Sequence, residues 1–288
     1  MSDRVIGNKY LINKEIGHGS FGIIYNGYNI TTKDKVAIKV ERKRDDNKLT
    51  LRHESHILTT LKGIKGVVQL RWYGHEDALY FMVIDLLGIT LERYKKLHEP
   101  YVNNKRTGLS KNKIVGIGVQ MIDIIELVHK HRIIHRDIKP ENFLFGRGDD
   151  TRLYLIDFGL AKQYMSIGGE HILYRSDKNL IGTVRYASVN SHDNKELSRR
   201  DDIESIGYLI LYLIMRKLPW QGITHASDSI RLDMIRHKKQ NISLQNIPDS
   251  MKTYFNYIGN VSFAEEPNYV YLKTLVRSLG KKLILEET

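Results

Sequence analysis

A chain of 288 residues, 41% hydrophobic and 27% charged, is long enough to bury a sizeable core as one large domain or two modest ones, and its balance is that of an ordinary globular enzyme. The absence of cysteine excludes disulfides, thiolate zinc sites, cysteine nucleophiles, S-palmitoylation and prenylation within these residues, and no apolar run approaches the roughly 18 to 20 residues of a membrane span. The formal charge of +12 admits phosphates, acidic peptides, nucleic acid and anionic lipid as partners, but the basic residues are spread along the chain without an aromatic-basic RNA-binding motif or zinc finger, which speaks against dedicated nucleic-acid binding.

The start, Met1-Ser2-Asp3-Arg4, lacks the apolar core of a signal peptide, so an intracellular address in cytoplasm, nucleus or both is expected, with no membrane anchor. No repeat, low-complexity tract or Pro/Gly/Ser-rich linker breaks the chain, which reads as one domain over 1–288 with lobes 1–85 and 86–288. Strands are predicted over residues 10–15 and 23–29, around Ile16-Gly17-His18-Gly19-Ser20-Phe21-Gly22. A G-x-G-x-x-G also marks dinucleotide-binding folds, where it leads from a strand into a helix. Here a second β-like run, Ile23-Ile24-Tyr25, follows at once, which favours a hairpin whose backbone N–H groups close over nucleotide phosphates. The plainer alternative is a glycine-rich turn. Ile16, Gly17, Gly19, Ser20, Gly22 and Ile24 become candidate nucleotide contacts, joined by Ala37 in the next strand.

That strand, Val36-Ala37-Ile38-Lys39, is β-branched and ends in a lysine able to reach the α and β phosphates; an unpaired lysine would be poorly aimed, and Glu54, on a helix predicted over 49–62, is its natural partner. Strands over 67–72 and 79–84 complete a small sheet. Asp85-Leu86-Leu87-Gly88 then reads as a hinge whose backbone at Asp85 and Leu87 would bond an adenine, with Ile84 behind it. A short helix over 92–98 and a polar surface loop over 99–109 follow. Ile114, Ile117, Met121, Ile124, Ile125 and Val128 repeat at the three-and-four spacing of one helix face and are assigned to the core.

That helix leads into His135-Arg136-Asp137-Ile138-Lys139-Pro140-Glu141-Asn142, which places a base, a cation and a metal ligand within a few residues. A lone H-R-D triplet reads as a solvated loop, and it is the extension to Lys139 and Asn142 that gives it chemistry. Asp137 would accept the proton of a substrate hydroxyl, Lys139 would neutralise charge on the transferring phosphoryl, and Asn142 would hold Mg²⁺. After short strands over 143–145 and 153–156 comes Asp157-Phe158-Gly159, with Asp157 as a second metal ligand. Residues 161–194 are polar and irregular, as a substrate-binding segment would be. Asp202, opening an apolar helix over 202–215, is expected to brace the catalytic-loop backbone, and amphipathic stretches over 231–237, 251–258 and 269–279 fill out a helical region.

The order of these parts resembles a protein kinase, for which the roles above are the established scheme. The resemblance implies an α+β, bilobal fold: a small antiparallel sheet with one main helix, then a larger, mostly helical lobe. Gly182-Thr183-Val184-Arg185-Tyr186-Ala187-Ser188-Val189-Asn190, Ser198-Arg199-Arg200-Asp201-Asp202-Ile203-Glu204-Ser205, Leu86-Leu87-Gly88 and Leu218-Pro219-Trp220-Gln221-Gly222 further resemble the casein kinase 1 family, over nearly the whole chain. The most specific element is Ala187-Ser188-Val189-Asn190, where most kinases carry Ala-Pro-Glu. The resemblance implies a monomeric serine/threonine kinase that uses ATP and Mg²⁺, is active without activation-loop phosphorylation, and favours acidic or already phosphorylated protein substrates. It places an anion site on Arg185 and Arg231, with Lys178 nearby and the backbone at Gly222. Two guanidinium forks on one phosphate suit charge-assisted, bidentate bonding, whereas the plainer reading is exposed charge on a basic protein.

Several positions depart from the family pattern. Arg231 stands where lysine is usual, Ile89 replaces the proline after the hinge glycine, the helix with Arg93, Lys95 and Lys96 is more basic, and loop 99–109 is longer. The basic cluster near Ser227-Asp228-Ser229-Ile230-Arg231 is thinned, and an autoinhibitory tail like that of many members is not expected. Three alternatives stand beside this reading, the least specific being a basic adaptor that binds nucleic acid through its net charge. A vaccinia-related chromatin kinase shares the Ser-Arg-Arg segment but is disfavoured by Asp201 and Asp157-Phe158-Gly159, and a pseudokinase scaffold is disfavoured by the intact Lys39, Glu54, Asp137, Lys139, Asn142 and Asp157.

Overall fold

The computed structural model describes residues 3–19, 22–43, 50–99, 101–102, 105–106, 108–242 and 247–280. In chain order they form strands β1 (Val5–Ile6), β2 (Tyr10–Gly19), β3 (Gly22–Asn29) and β4 (Lys35–Arg42), helix α1 (Thr50–Thr60), strands β5 (Leu70–Glu76) and β6 (Leu79–Asp85), and helix α2 (Leu91–His98). The short pair β7 (Tyr101–Val102) and β8 (Lys105–Arg106) precedes helix α3 (Lys111–Lys130), β9 (Ile133–Ile134), β10 (Phe143–Gly146), β11 (Asp149–Leu155) and β12 (Lys162–Gln163). Helices α4 (Val189–His192), α5 (Arg199–Met215), α6 (Asp228–Gln240), α7 (Asp249–Asn260) and α8 (Tyr269–Ser278) follow, and 3-10 turns occupy Pro140–Asn142 and Phe158–Leu160.

The chain divides into two compact units, one holding the residues up to Ile89 with Phe143–Ala161, the other Thr90–Asn142 with the chain from Lys162 onward. The first unit thus runs to Ile89, and a second piece returns to it because its backbone is tied there. Phe145 N–H donates to the Ile89 carbonyl at 3.0 Å, Gly88 N–H to Phe145 at 2.8 Å and Leu155 N–H to Gly66 at 2.8 Å.

The first unit is built on a six-stranded sheet in the order β1-β2-β3-β4-β6-β5, antiparallel throughout. Alternation sends Val36, Ile38 and Val40 of β4 to one face, where they bury against Ile12, Tyr25, Phe81 and Val83. Helix α1 buries Leu51, Glu54, Ser55, Ile57 and Leu58, the stripe that a 3.6-residue period puts on one side. Its first turn has no acidic residue of its own. Glu41 of β4, 2% exposed, supplies the missing acceptor, taking Leu51 N–H at 2.9 Å and Thr50 N–H at 3.4 Å. The strand expected over 67–72 lies at Leu70–Glu76, because Val67 and Val68 are drawn off to Leu155: Val67 bridges it in parallel, and Val68 N–H bonds its carbonyl at 3.2 Å.

The second unit is mostly helical. Helix α3 starts at Ser110, whose hydroxyl accepts Lys113 N–H at 3.4 Å, and it buries every residue of the face read from the spacing. At Gly118 a Cβ would press on Ile210 of α5 and Val276 of α8, so the missing side chain lets the three helices close up. Helix α5 is buried on all sides from Asp201 to Leu213, as a core helix must be. It begins three residues before Asp202, because the Asp201 carboxylate folds back to accept Ser198 N–H at 2.7 Å and caps the first turn. The loop expected over 99–109 contains the β7–β8 pairing, and Glu99 at its head is buried in an ion pair with Lys95 at 2.9 Å. The architecture is α+β, an antiparallel-sheet unit and a helical unit, and no helix among the described residues is long and apolar enough to cross a membrane.

Candidate active site

In the first unit the glycine motif is a strand–turn–strand hairpin, with Gly17 opposite Ile24 and Gly19 opposite Gly22; Ser20 lies outside the described residues. A Cβ at Gly22 would collide with the Val40 carbonyl, so packing alone requires that glycine. At Gly17 a Cβ would meet nothing, and Ile16 beside it is 50% exposed, so no internal contact accounts for either residue. Ile24 pairs with Lys39 across β3 and β4, and Ala37 pairs with the buried Ile84 across β4 and β6. Asp85 ends β6 with its carboxylate on Arg71 at 2.6 Å and its N–H on the Gln69 carbonyl at 3.2 Å. With Gly88 N–H bonded to Phe145, Leu86 and Leu87 are left with no backbone hydrogen bond among the described residues.

Lys39 Nζ meets Glu54 at 2.7 and 3.0 Å and Asp157 Oδ1 at 3.4 Å, and Phe158 N–H donates to the same Glu54 carboxylate at 3.2 Å. Burial pulls the Lys39 pKa down, but the two carboxylates outweigh it and hold the ammonium above its ordinary value. Asp157 sits at φ +65°, a left-handed backbone rare for a residue with a Cβ. The neighbouring His53 ring bonds the Ala161 carbonyl at 2.8 Å, so α1 grips both ends of the turn that carries Asp157.

In the second unit Asp137 is the centre. Its Oδ2 accepts Lys139 Nζ at 2.6 Å, and its Oδ1 accepts Thr183 N–H at 2.9 Å and the Thr183 hydroxyl at 2.8 Å. Burial raises its pKa, yet the hydrogen bond and charge of Lys139, with the Thr183 hydroxyl, bring the net below the usual carboxylate range. Asn142 spends its Nδ2 on the Asp137 carbonyl at 2.9 Å and on Oδ2 at 3.3 Å, which leaves its Oδ1 without a partner among the described residues. Asp202 braces the loop as expected, accepting His135 N–H at 2.7 Å and Arg136 N–H at 2.8 Å, with Arg136 in a left-handed backbone at φ +67°. The same carboxylate holds His129 Nε2 at 2.9 Å, and His129 Nδ1 meets the Tyr269 hydroxyl at 2.8 Å. Burial lowers the His129 pKa and so favours the neutral ring, for which Nε2 donating to Asp202 and Nδ1 accepting from the Tyr269 hydroxyl satisfy both nitrogens.

Of the four residues assigned to an anion site, two are already held in ion pairs with carboxylates. Arg231 pairs with Asp228 at 3.1 Å, Lys178 with Glu196 at 3.4 Å, and the Arg185 guanidinium lies 5.9 Å from the Tyr186 ring centroid with no ion pair among the described residues. Gly222 is exposed at φ +89°. Three residues that matter to the geometry receive no role from the sequence: Thr183, His129 and Glu41. Only Thr183 left a signal, since it stands in the Gly182-to-Asn190 segment that carries the family resemblance, beside Gly182, where a φ of +90° and the Arg136 carbonyl leave no room for a Cβ. Compared with known families, the chain matches the family model described as the protein kinase domain over residues 10–272.

Proposed function

This chain belongs to the protein kinase family, a family of phosphotransferases that act on proteins with ATP as donor, usually with Mg²⁺, and from that premise we propose a single-domain, monomeric serine/threonine kinase of the casein kinase 1 type. It moves the γ-phosphate of ATP to serine or threonine in acidic or phospho-primed proteins. The observation that carries the reading is the Asp137 carboxylate gripped by Lys139 and Thr183, a base fixed in place with a cation on one oxygen, which suits abstraction of a hydroxyl proton beside a phosphoryl group. The Lys39–Glu54–Asp157 contacts give the lysine the charge and aim that phosphate binding needs. Unspent backbone groups at Leu86 and Leu87 suit an adenine edge, and the room at Gly17 suits phosphate approach.

Asp157 in the first unit and the Oδ1 of Asn142 in the second are each hard oxygen donors of the kind that Mg²⁺ prefers, and Mg²⁺ would supply charge neutralisation on phosphate. Support for the casein kinase 1 type comes from the Gly182 to Asn190 segment, in which Ser188 and Asn190 bond Asp201 at 2.7 and 3.0 Å in place of any Ala-Pro-Glu contact. Incubation with γ-labelled ATP and casein, followed by phosphoamino-acid analysis, tests the proposal. Label on serine or threonine is expected; label on tyrosine, or none, overturns it.

A further inference from the structure

Lys239, in the last turn of α6, is 3% exposed, yet no carboxylate takes a hydrogen bond from it. Its Nζ donates to the Val184 carbonyl at 2.8 Å and to the Ala187 carbonyl and meets His192 Nε2 at 3.1 Å, while burial, opposed by the charge of the Glu204 carboxylate, brings its pKa down to about 7. The rings of Tyr208 and Trp220 flank it at 5.0 and 5.5 Å. Burying a cation is costly, and an apolar side chain of the same length would fill this slot, but only a donor can hold two carbonyls. Trp220, 1% exposed, adds a third hold, its Nε1–H donating to the Arg185 carbonyl at 2.7 Å.

Val184, Arg185 and Ala187 therefore have their carbonyls fixed by two side chains from outside the segment. Within the segment, Tyr186 and Ala187 N–H groups bond the Thr183 carbonyl at 2.8 and 2.9 Å, and Thr183 in turn bonds Asp137. We propose that Lys239 and Trp220 are positioning residues for phosphotransfer, clamping the backbone from Val184 to Ala187 so that Thr183 stays on Asp137 and Arg185 is presented to the protein substrate. The inference rests on the phosphotransfer reading above and goes beyond it, since neither side chain belongs to the nucleotide or base constellation.

The test compares wild type with Lys239→Met, Lys239→Arg and Trp220→Phe, reading kcat and KM for casein, KM for ATP, and amide hydrogen exchange over residues 183–188. Lys239→Met should lower kcat/KM for casein at least tenfold while KM for ATP stays within twofold, and the Tyr186 and Ala187 amides should exchange at least tenfold faster. Lys239→Arg, which keeps a cationic donor, should recover part of the loss. A casein kcat/KM within twofold of wild type, or a rise in ATP KM equal to that for casein, would overturn the proposal. If Lys239→Met gives no cooperative melt, Trp220→Phe, which removes one donor and keeps an aromatic, though smaller, ring, decides by the same criteria. A wild type that leaves casein unlabelled would count against the phosphotransfer reading, and hydrogen exchange would still judge the clamp.

Discussion

Asp137 and Asp157 differ in what surrounds them, and the difference sets what each substitution should do. Asp157→Ala removes both a candidate metal oxygen and a partner of Lys39, so ATP-dependent transfer to casein should be lost. Asp137→Asn keeps the shape and the Thr183 contact but not the basic carboxylate, and a fall of roughly 10²- to 10⁴-fold in turnover is expected; wild-type turnover in either variant would remove the assignment. Arg231 and Lys178 already pair with Asp228 and Glu196, so a priming phosphate must displace carboxylates to reach them. The gain from charge-assisted bonds, about 1.5 to 3 kcal/mol in general, should therefore fall at its low end, near a tenfold preference for primed peptide. Arg185→Ala with Arg231→Ala should erase that preference and leave KM for ATP unchanged, and an unaltered ratio would mark both as ordinary surface charge. His192 illustrates titration. Burial first, and then the Lys239 cation, lower its pKa from 6.5 to about 4, so the fold favours the neutral ring. That stabilisation is present above pH 6.5 and is lost as pH falls toward 4, by about 3 kcal/mol over the window. His192→Gln, which keeps an acceptor for Lys239 but does not titrate, should flatten the fall in melting temperature between those pH values; an identical slope would refute the assignment.

Helix α1 shows how an element inherits function from its ends. Its period puts Glu54 on the buried face, but what fixes the helix along its axis is Glu41 at the N-terminus together with the contacts of His53 and Glu54 to the Ala161 and Phe158 backbone. Glu41→Gln should cost about 1 kcal/mol of stability, in the range of other lost helix caps, and should raise KM for ATP as Glu54 loses its aim at Lys39. A thermal melt and an ATP titration check the two parts, and a stability loss with no change in KM would confine Glu41 to a structural role. Helix α5 acts in the same way on the second unit, because Asp202 in its first turn reaches the backbone of His135 and Arg136. The periodicity that announced this helix carried no mark of where it starts; that was decided by the Asp201 carboxylate bending back on Ser198.

At the scale of the molecule, the Lys39–Glu54 pair is a direct 2.7 Å contact between two ordinary side chains, and the proposed casein kinase 1 type needs no activation-loop phosphate. Protein made in bacteria and treated with phosphatase should therefore be fully active on casein, and a requirement for an upstream kinase would contradict this. With a formal charge of +12, its KM for acidic substrates should rise with ionic strength as the attraction is screened. The sequence by itself determined the order of parts and the chemistry of each: lysine, glutamate, base and candidate metal oxygens were legible because phosphoryl transfer demands those atoms, and strands and helices were legible because burial imposes its periods. Only the tertiary structure decided how those atoms are held. The grip of Thr183 on Asp137, the cap from Glu41 and the buried Lys239 join residues separated in sequence, and hydrogen bonds between such residues leave no period or motif from which they could be read.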